Sequence, residues 1–284
     1  MSLYPQFAFY GHHKCATMTI NSVVGAVCRR LGMSFEAVYD EDQFDGDLQA
    51  FTASRRIDFL AYGNADIQYV RQLPQHRGFH IVRDPRDIVV SAYFSHLYSH
   101  STKAWPELLA HREALQSASF EEGLAMEIEF RARSFGHMQR WDYSQDNILE
   151  VRFEDFVTST NDSLVKIFDF LGLASGDDYN FSRRMVGLYQ EFAAILRAKA
   201  GMTIPRVMMP EQLAVPDLMT INWRNRFQAK SRGRKQGTEN VHSHYRKGRS
   251  GEWSEQFTAD HKKLFKRLYP GLIPDLGYES SDNW

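Results

Sequence analysis

The strongest constraint on this chain comes from two segments about seventy residues apart, each placed where an apolar run gives way to helical spacing. The first is Gly11-His12-His13-Lys14-Cys15-Ala16-Thr17; the second is Arg83-Asp84-Pro85-Arg86-Asp87, with Ser91 beyond it. A strand feeding a helix N-terminus leaves free backbone N–H groups at the positive end of the helix dipole, a setting that favours bound phosphate. One such junction points to a nucleotide. Two, joined by the later Tyr245-Arg246-Lys247-Gly248-Arg249-Ser250-Gly251-Glu252-Trp253, point to a nucleotide carrying phosphate groups at both ends.

The surrounding pattern sets the fold class. Apolar runs at 7–10, 58–62, 78–82 and 147–153 read as buried strands, and 17–31 and 161–171 as helices stopped by Gly32 and Gly172. Asp84-Pro85 is a helix start, since Asp caps free N–H groups and Pro fits the first helical position. This alternation predicts an α/β fold: one P-loop-like domain over 1–284 with a central parallel sheet flanked by helices. The stretch 201–236 is less regular, with Pro205, Pro210 and Pro216, and 201–245 is expected to form a lid or insertion carrying a basic run rather than a second domain. No internal repeat or low-complexity tract interrupts the pattern.

With 284 residues, 43% of them hydrophobic, the chain can bury a substantial core. Its formal charge of -1 offers no global attraction to nucleic acid or a membrane surface, so neither is expected as a partner and local clusters must carry any anion binding. Cys15 and Cys28 alone make no disulfide framework, which suits a reducing compartment. The start shows no leader, and no run is long enough to span a bilayer; the expected location is cytoplasmic.

Within the first segment Lys14 can supply a phosphate-binding cation, and Thr17 and Thr19 put hydroxyls on the first helical turn. The same loop is equally a surface Lys in an ordinary strand-to-helix turn. An ATP-binding Walker loop needs Gly-Lys-Ser or Gly-Lys-Thr, whereas His13 precedes and Cys15 follows Lys14. Arg83 and Ser91, eight residues apart, lie about two turns along one helix and can grip one phosphate; the alternative is an Arg-Asp helix start with a buried Ser. Arg86 and Asp87 read as structural ion-pair partners. Between Arg224 and Arg249 stand nine Lys or Arg and one acid, Glu239, a run that is either solvated, nucleic-acid-facing or part of an anion site.

Arg83 with Ser91, and Arg246-Lys247-Gly248 with Gly251 and Trp253 in register, resemble the PAPS-dependent sulfotransferase family of the soluble, cytosolic or bacterial type. Its donor is 3'-phosphoadenosine 5'-phosphosulfate. The resemblance implies sulfuryl transfer from PAPS to a hydroxyl or amine of a small-molecule acceptor by in-line displacement, with PAP as product and no metal. It places Arg83 and Ser91 on the 3'-phosphate, Arg246, Lys247 and Gly248 on the donor, and Lys14 on the charge of the leaving phosphate. The family's Lys-Ser-Gly-Thr-Thr loop is answered here by Lys14-Cys15-Ala16-Thr17-Met18. Ala16 for Gly is the departure with most consequence, because that backbone can require φ > 0.

For the adenine, the family's Trp five residues after the Lys is Thr19 here, its Tyr is Phe153 of Phe153-Glu154-Asp155, and Phe227 is the candidate lid aromatic. Phe153 is equally plain core. The family's His after the second strand, the general base, is missing; Asn64 stands nearest, leaving Asp66 and His13 as candidates. Asp66 can instead cap the next helix. Two further readings stay open, a P-loop nucleotide kinase and a PAP-binding protein without catalysis. The family's dimer motif is matched only at Thr258, so the oligomeric state is open. The acceptor pocket is expected from 39–51, 98–109 and 202–223, whose aromatics, Met and acids suit an apolar or amphipathic alcohol at least as well as a sugar.

Overall fold

The computed structural model describes residues 4–103, 105–176, 181–200, 204 and 211–284. Contacts divide the chain into two compact units, each discontinuous in sequence. The first takes Met1–Gly11, Ala16–Ile81 and Asp142–Arg226; the second takes His12–Cys15, Val82–Trp141 and Phe227–Trp284. The chain passes repeatedly between these two units.

The chain opens with β1 (Phe7–Gly11), α1 (Thr17–Leu31), β2 (Phe35–Val38), α2 (Leu48–Arg55), β3 (Phe59–Tyr62), α3 (Ile67–Val70) and β4 (Arg77–Val82). Gly32, at φ 67, ends α1 where its position predicts. It then continues through α4 (Pro85–Phe94), a π-helical turn at Ser95–Ser99, α5 (Pro106–Ser117), α6 (Phe120–Phe130) and α7 (Ala132–Arg140). Next come β5 (Ile148–Arg152), α8 (Phe153–Thr158), α9 (Thr160–Phe170), a short strand β6 (Ala174–Ser175), α10 (Phe181–Ala200), its parallel partner β7 (Leu213–Ala214) and α11 (Val215–Asn225). Short helices α12 (Phe227–Lys230) and α13 (Trp253–Gln256) precede α14 (Ala259–Leu268) and α15 (Leu272–Asp275).

The first unit is built on a five-stranded parallel sheet in the order β2-β3-β1-β4-β5. Phe9 pairs with Ala61 on one side and Phe79 on the other, and both β1 and β3 are buried almost throughout, as strands covered on two faces must be. Two polar contacts lie inside the sheet: the Tyr10 hydroxyl is 2.7 Å from His76 Nε2, and His80 Nδ1 is 2.7 Å from the Glu150 carboxylate. The predicted strand at 147–153 stops one residue early, because Phe153 begins α8.

The expected lid at 201–245 requires correction. Residues 201–203 and 205–210, with Pro205, Pro210 and Met202, lie outside the described residues. Residues 215–225 are not a cover but packed structure: α11 lies against α1 and α9 of its own unit, with Leu218 and Ile221 buried. Asp217 there pairs with the buried Arg30 at 3.2 Å, and Asn222 donates to Asn161 at 2.7 Å. Helix α10 also packs on α1, while Phe181, Met185, Tyr189 and Phe192 on it are exposed. Among the described residues no helix is long and apolar enough to cross a membrane.

The loop after β1 uses backbone that glycine would adopt more readily. Lys14 sits at φ 70 and Ala16, which precedes α1, at φ 60. A left-handed non-glycine residue costs about 1–2 kcal/mol, so the Ala16 substitution is tolerated at a price in local strain. Ala16→Gly is expected to stabilise the fold by roughly 0.5–1 kcal/mol after the extra chain entropy of glycine is subtracted, raising Tm by about 1–2 °C in thermal unfolding.

Candidate active site

The second unit gathers the anion-binding segments around the start of α4. Asp84 caps that helix by accepting from the Arg86 backbone N–H at 2.9 Å, and Pro85 fills the first turn. The Arg86 guanidinium forks onto Asp84 at 2.8 Å, reaches Glu279 at 2.8 Å, and lies over the rings of Trp253 at 3.6 Å and Trp284 at 4.6 Å. Asp87 turns the other way and accepts from the backbone N–H groups of Gly251 and Trp253, the latter at 3.1 Å. Both are structural: Arg86 pairs with Asp84 and Glu279, while Asp87 pins the C-terminal motif to the N-terminus of α4.

Arg83 then joins three parts of the unit. It donates to the Lys14 carbonyl at 3.2 Å and the Arg249 carbonyl at 3.4 Å, and lies 3.9 Å from Asp87. The half-buried Lys14 ammonium is pushed down to about 7, first by burial and then by the charges of Arg83, Arg246 and Arg131, with Glu127 opposing. Residues far apart in sequence therefore concentrate positive charge at one point. Ser91 follows Arg83 on α4, half-buried.

Arg246 and Lys247 are engaged by carboxylates. Arg246 pairs with Glu239 and Glu252, Lys247 reaches Glu252 at 2.5 Å, and the Arg246 guanidinium lies 4.6 Å over Phe94. Burial pulls the Glu252 carboxyl upward, but hydrogen bonds from Arg246 and Lys247 outweigh it and hold it below the usual range. Gly248 is at φ 68, and a Cβ there would stand 2.9 Å from the Phe227 ring, so only glycine allows the candidate adenine-stacking aromatic to pack on this backbone.

Arg234 organises the same segment. It donates to the carbonyls of Thr238 at 3.0 Å and Arg246 at 2.9 Å, to the Ser243 hydroxyl at 2.9 Å, and to the Tyr245 carbonyl. One residue of the basic run is thus a structural staple.

The two base candidates are placed differently from expectation. His13 Nδ1 lies 2.9 Å from Arg131 Nη1. A guanidinium only donates, so Nδ1 accepts and the ring proton sits on Nε2. Burial first, then Arg131, His96, Lys14 and His100, hold the ring well below 6.5 and neutral. Such an imidazole presents a donor at Nε2. Asp66 belongs to the first unit, where it caps α3 by accepting from the Gln68 N–H at 3.1 Å and is 6% exposed.

Ala16, Thr17, Met18 and Thr19 also belong to the first unit, at an α1 N-terminus that lacks a side-chain cap, with Met18 exposed. Phe153 is buried there at the start of α8, as core. Cys15 is buried, its Sγ 3.8 Å from the His13 carbonyl, and neither cysteine forms a disulfide. Thr258, the residue left of the dimer motif, caps α14.

Beside Lys14 the fold assembles a group that sequence reasoning missed. Glu127 of α6 is fully buried, with Arg131 Nε, His96 Nδ1 and His111 Nε2 each 2.9 Å from its carboxylate. Burial would raise its carboxyl, yet Arg131, His96 and His111 together bring it down to about 2. His96, His111 and Glu127 offer ligand-type atoms within 4.8 Å of one another, a juxtaposition no sequence spacing announced. The one readable signal was Glu127 and Arg131 at i, i+4 beside the apolar Leu124 and Ile128.

Arg234→Ala removes four hydrogen bonds from one loop. Each charge-assisted bond contributes about 1.5–3 kcal/mol. Amide exchange in residues 237–248 is expected to accelerate at least about tenfold while the sheet of the first unit keeps its protection, as read by hydrogen-exchange mass spectrometry.

Comparison with known proteins follows this geometry. Residues 68–177 match the family described as "Sulfotransferase family". No curated protein matches in sequence. Among solved structures, the mouse sulfotransferase SULT7A1 complexed with PAP aligns with TM-score 0.54 and 17% identity, covering 96% of this chain and 86% of its own. Retinol dehydratase in complex with androsterone and inactive cofactor PAP aligns with TM-score 0.49 and 14% identity over 97% and 82% of the two chains. The sulfotransferase domain of the Synechococcus PCC 7002 olefin synthase gives TM-score 0.33 at 12% identity, over 77% and 93%. The kinship that Arg83, Ser91 and Arg246 suggested thus has support beyond those residues: the chain carries the sulfotransferase fold, and its residues 68–177 match the sulfotransferase family.

Proposed function

We propose that this protein transfers the sulfuryl group of PAPS to a hydroxyl or amine of a small-molecule acceptor by in-line displacement, releasing PAP. The observation that carries the reading is the convergence of Lys14, Arg83, Arg246 and Arg131 within one unit, where burial first and then the charges of the three arginines bring the Lys14 ammonium down to about 7. A site of this kind lowers its own repulsion by binding an anion. In-line transfer at sulfur, like phosphoryl transfer, asks the protein mainly to position two oxygens and to stabilise charge on the leaving phosphate. Lys14 takes the leaving phosphate, and Arg83 with Ser91 the 3'-phosphate. Arg246, Lys247 and Gly248 complete the donor grip, the phosphate replacing the carboxylates of Glu239 and Glu252.

Phe227, packed on Gly248, is the surface for the adenine. For Cys15, Ala16, Thr17, Met18, Thr19 and Phe153 a part in donor binding rests on the resemblance alone, and so does Asp66 as base. A cytoplasmic location is supported by Cys15 and Cys28 lying outside any disulfide.

Calorimetric titration with PAP, 5'-AMP and ATP at moderate salt, without magnesium, tests the reading. Tight binding of PAP alone is expected; equal or absent binding refutes it, and ATP binding that requires magnesium would favour a kinase. A pH dependence follows from Lys14. Its free value is about 7 and contact with phosphate raises it, so binding takes up a proton between about pH 7 and the raised value. PAP affinity is therefore expected to fall as pH rises above 7, by up to about tenfold per unit, and to level off below about pH 6. Titrations at pH 8 in two buffers of different ionisation enthalpy should show close to one proton taken up, and Lys14→Arg should abolish that uptake.

A further inference from the structure

Among the described residues, two buried nitrogen atoms beside Lys14 lack hydrogen-bond partners, His13 Nε2 and His96 Nε2. Their chemistry is opposite, and one ion pair makes it so. Arg131 donates to His13 Nδ1 and thereby places that ring's proton on Nε2, which becomes a donor. Glu127, paired through its other oxygen with Arg131 at 2.9 Å, accepts from His96 Nδ1 at 2.9 Å; the proton stays on Nδ1 and His96 Nε2 keeps a lone pair. The two rings lie nearly parallel, at 17°, with centres 5.1 Å apart. Trp105 meets both rings edge-on, at 6.0 Å from His13 and 5.4 Å from His96.

Buried polar atoms are nearly always satisfied, so a donor and an acceptor on neighbouring rings, both without partners among the described residues, call for a group that is both. A neutral hydroxyl is such a group. An ammonium cannot accept from His13, and the positive charge of Lys14, Arg83 and Arg131 repels it. We propose that His13 and His96 form the acceptor-hydroxyl subsite of this enzyme, with His96 Nε2 the general base and Glu127 its positioning residue.

This rests on the sulfuryl-transfer reading. The acceptor oxygen forms its bond to sulfur while the bond from sulfur to the phosphate oxygen of PAP breaks; that electron pair leaves on PAP, and the hydroxyl proton passes to His96 Nε2. His13 Nε2–H holds the acceptor oxygen in line. The π-helical turn that carries His96 is fixed from outside by Arg112, which donates to the carbonyls of His96 and His100.

Two competing assignments are addressed by the same site. A metal on His96, His111 and Glu127 would have to displace two imidazole N–H donors from the carboxylate and sit beside the Arg131 guanidinium. His100 also keeps a lone pair, since its Nδ1 faces the Ser101 carbonyl at 2.9 Å, but no carboxylate backs it.

The first test is nitrogen NMR of histidine-labelled protein with PAP at pH 7. An unprotonated His96 Nε2 and a protonated His13 Nε2, both shifting on addition of 2-phenylethanol, are expected. The opposite tautomers, or no shift with the alcohol, would overturn the subsite.

The second test compares acceptors of different acidity. His96→Gln is expected to bind PAP as the unsubstituted protein does and to lose about 10²–10⁴-fold in turnover of 2-phenylethanol, but under about tenfold with 4-nitrophenol, whose oxygen needs little help to shed its proton. Glu127→Gln should show the same selectivity more weakly. Equal losses on both acceptors mean a structural role and refute the proposal, as does selective loss in His96→Gln being absent but present in His100→Gln. Stoichiometric Zn²⁺ binding that His96→Gln removes would also refute it.

The groups facing His96 are Glu127, Arg131, His13, His100, His111 and Lys14, so an acid limb in the kcat profile is assigned to His96 only if His96→Gln removes it. Failure of PAP to bind the unsubstituted protein would sink the sulfotransferase reading itself and leave the tautomer measurement standing.

Discussion

Asp87 carries a buried negative charge into a region crowded with guanidinium groups, and the arrangement of the second unit follows from where that charge is used. Its two oxygens take the backbone N–H groups of Gly251 and Trp253, so the glycine-containing C-terminal motif ends against the first turn of α4. One residue earlier in that turn Arg86 is held between two tryptophan rings and two carboxylates. Removing one partner of a buried pair typically costs about 3–5 kcal/mol, far more than an exposed one, because the remaining charge stays out of water. The first turn of α4 is thus a rigid reference from which Arg83 can hold the Lys14 and Arg249 backbones.

A rigid scaffold matters because the charges it holds repel one another. Lys14, Arg83, Arg131 and Arg246 gain nothing from proximity in the ligand-free chain, and after burial their charges are the next cause of the lowered Lys14 ammonium. The protein offsets part of it locally with Glu239 and Glu252 on Arg246 and with Glu127 on Arg131. The two sets of carboxylates differ in setting: Glu239 and Glu252 lie on the Arg246 side, while the fully buried Glu127 meets Arg131 and the His96 and His111 rings.

Local signals in the sequence carried well where one element decides the outcome. Helix α1 ends at Gly32, α4 begins at Asp84-Pro85, and the strands around Phe9, Leu60 and Ile81 form because apolar runs of that length suit a sheet buried on both faces. The same reasoning overlooked β2, whose Phe35-Glu36-Ala37-Val38 is short and half-buried, and α10, whose exposed Phe181, Met185, Tyr189 and Phe192 blur the amphipathic pattern. It took residues 215–225 for part of a lid because the prolines before them dominate the composition, whereas Leu218, Ile221 and the Asp217–Arg30 pair make them core.

The sequence by itself determined the α/β class, the strand-to-helix junctions carrying Lys14 and Arg83, and the Arg246-Lys247-Gly248 motif, because helix caps, turn residues and apolar periodicity act over a few neighbours. Only the tertiary structure decided which nitrogen of each histidine is protonated. His13 and His96 are chemically identical residues 83 positions apart, and nothing next to either one in the chain distinguishes donor from acceptor. Arg131 and Glu127 do so, and they reach the two rings only after α6 has folded against the turn that carries His96; the proton goes where burial and a single partner leave it.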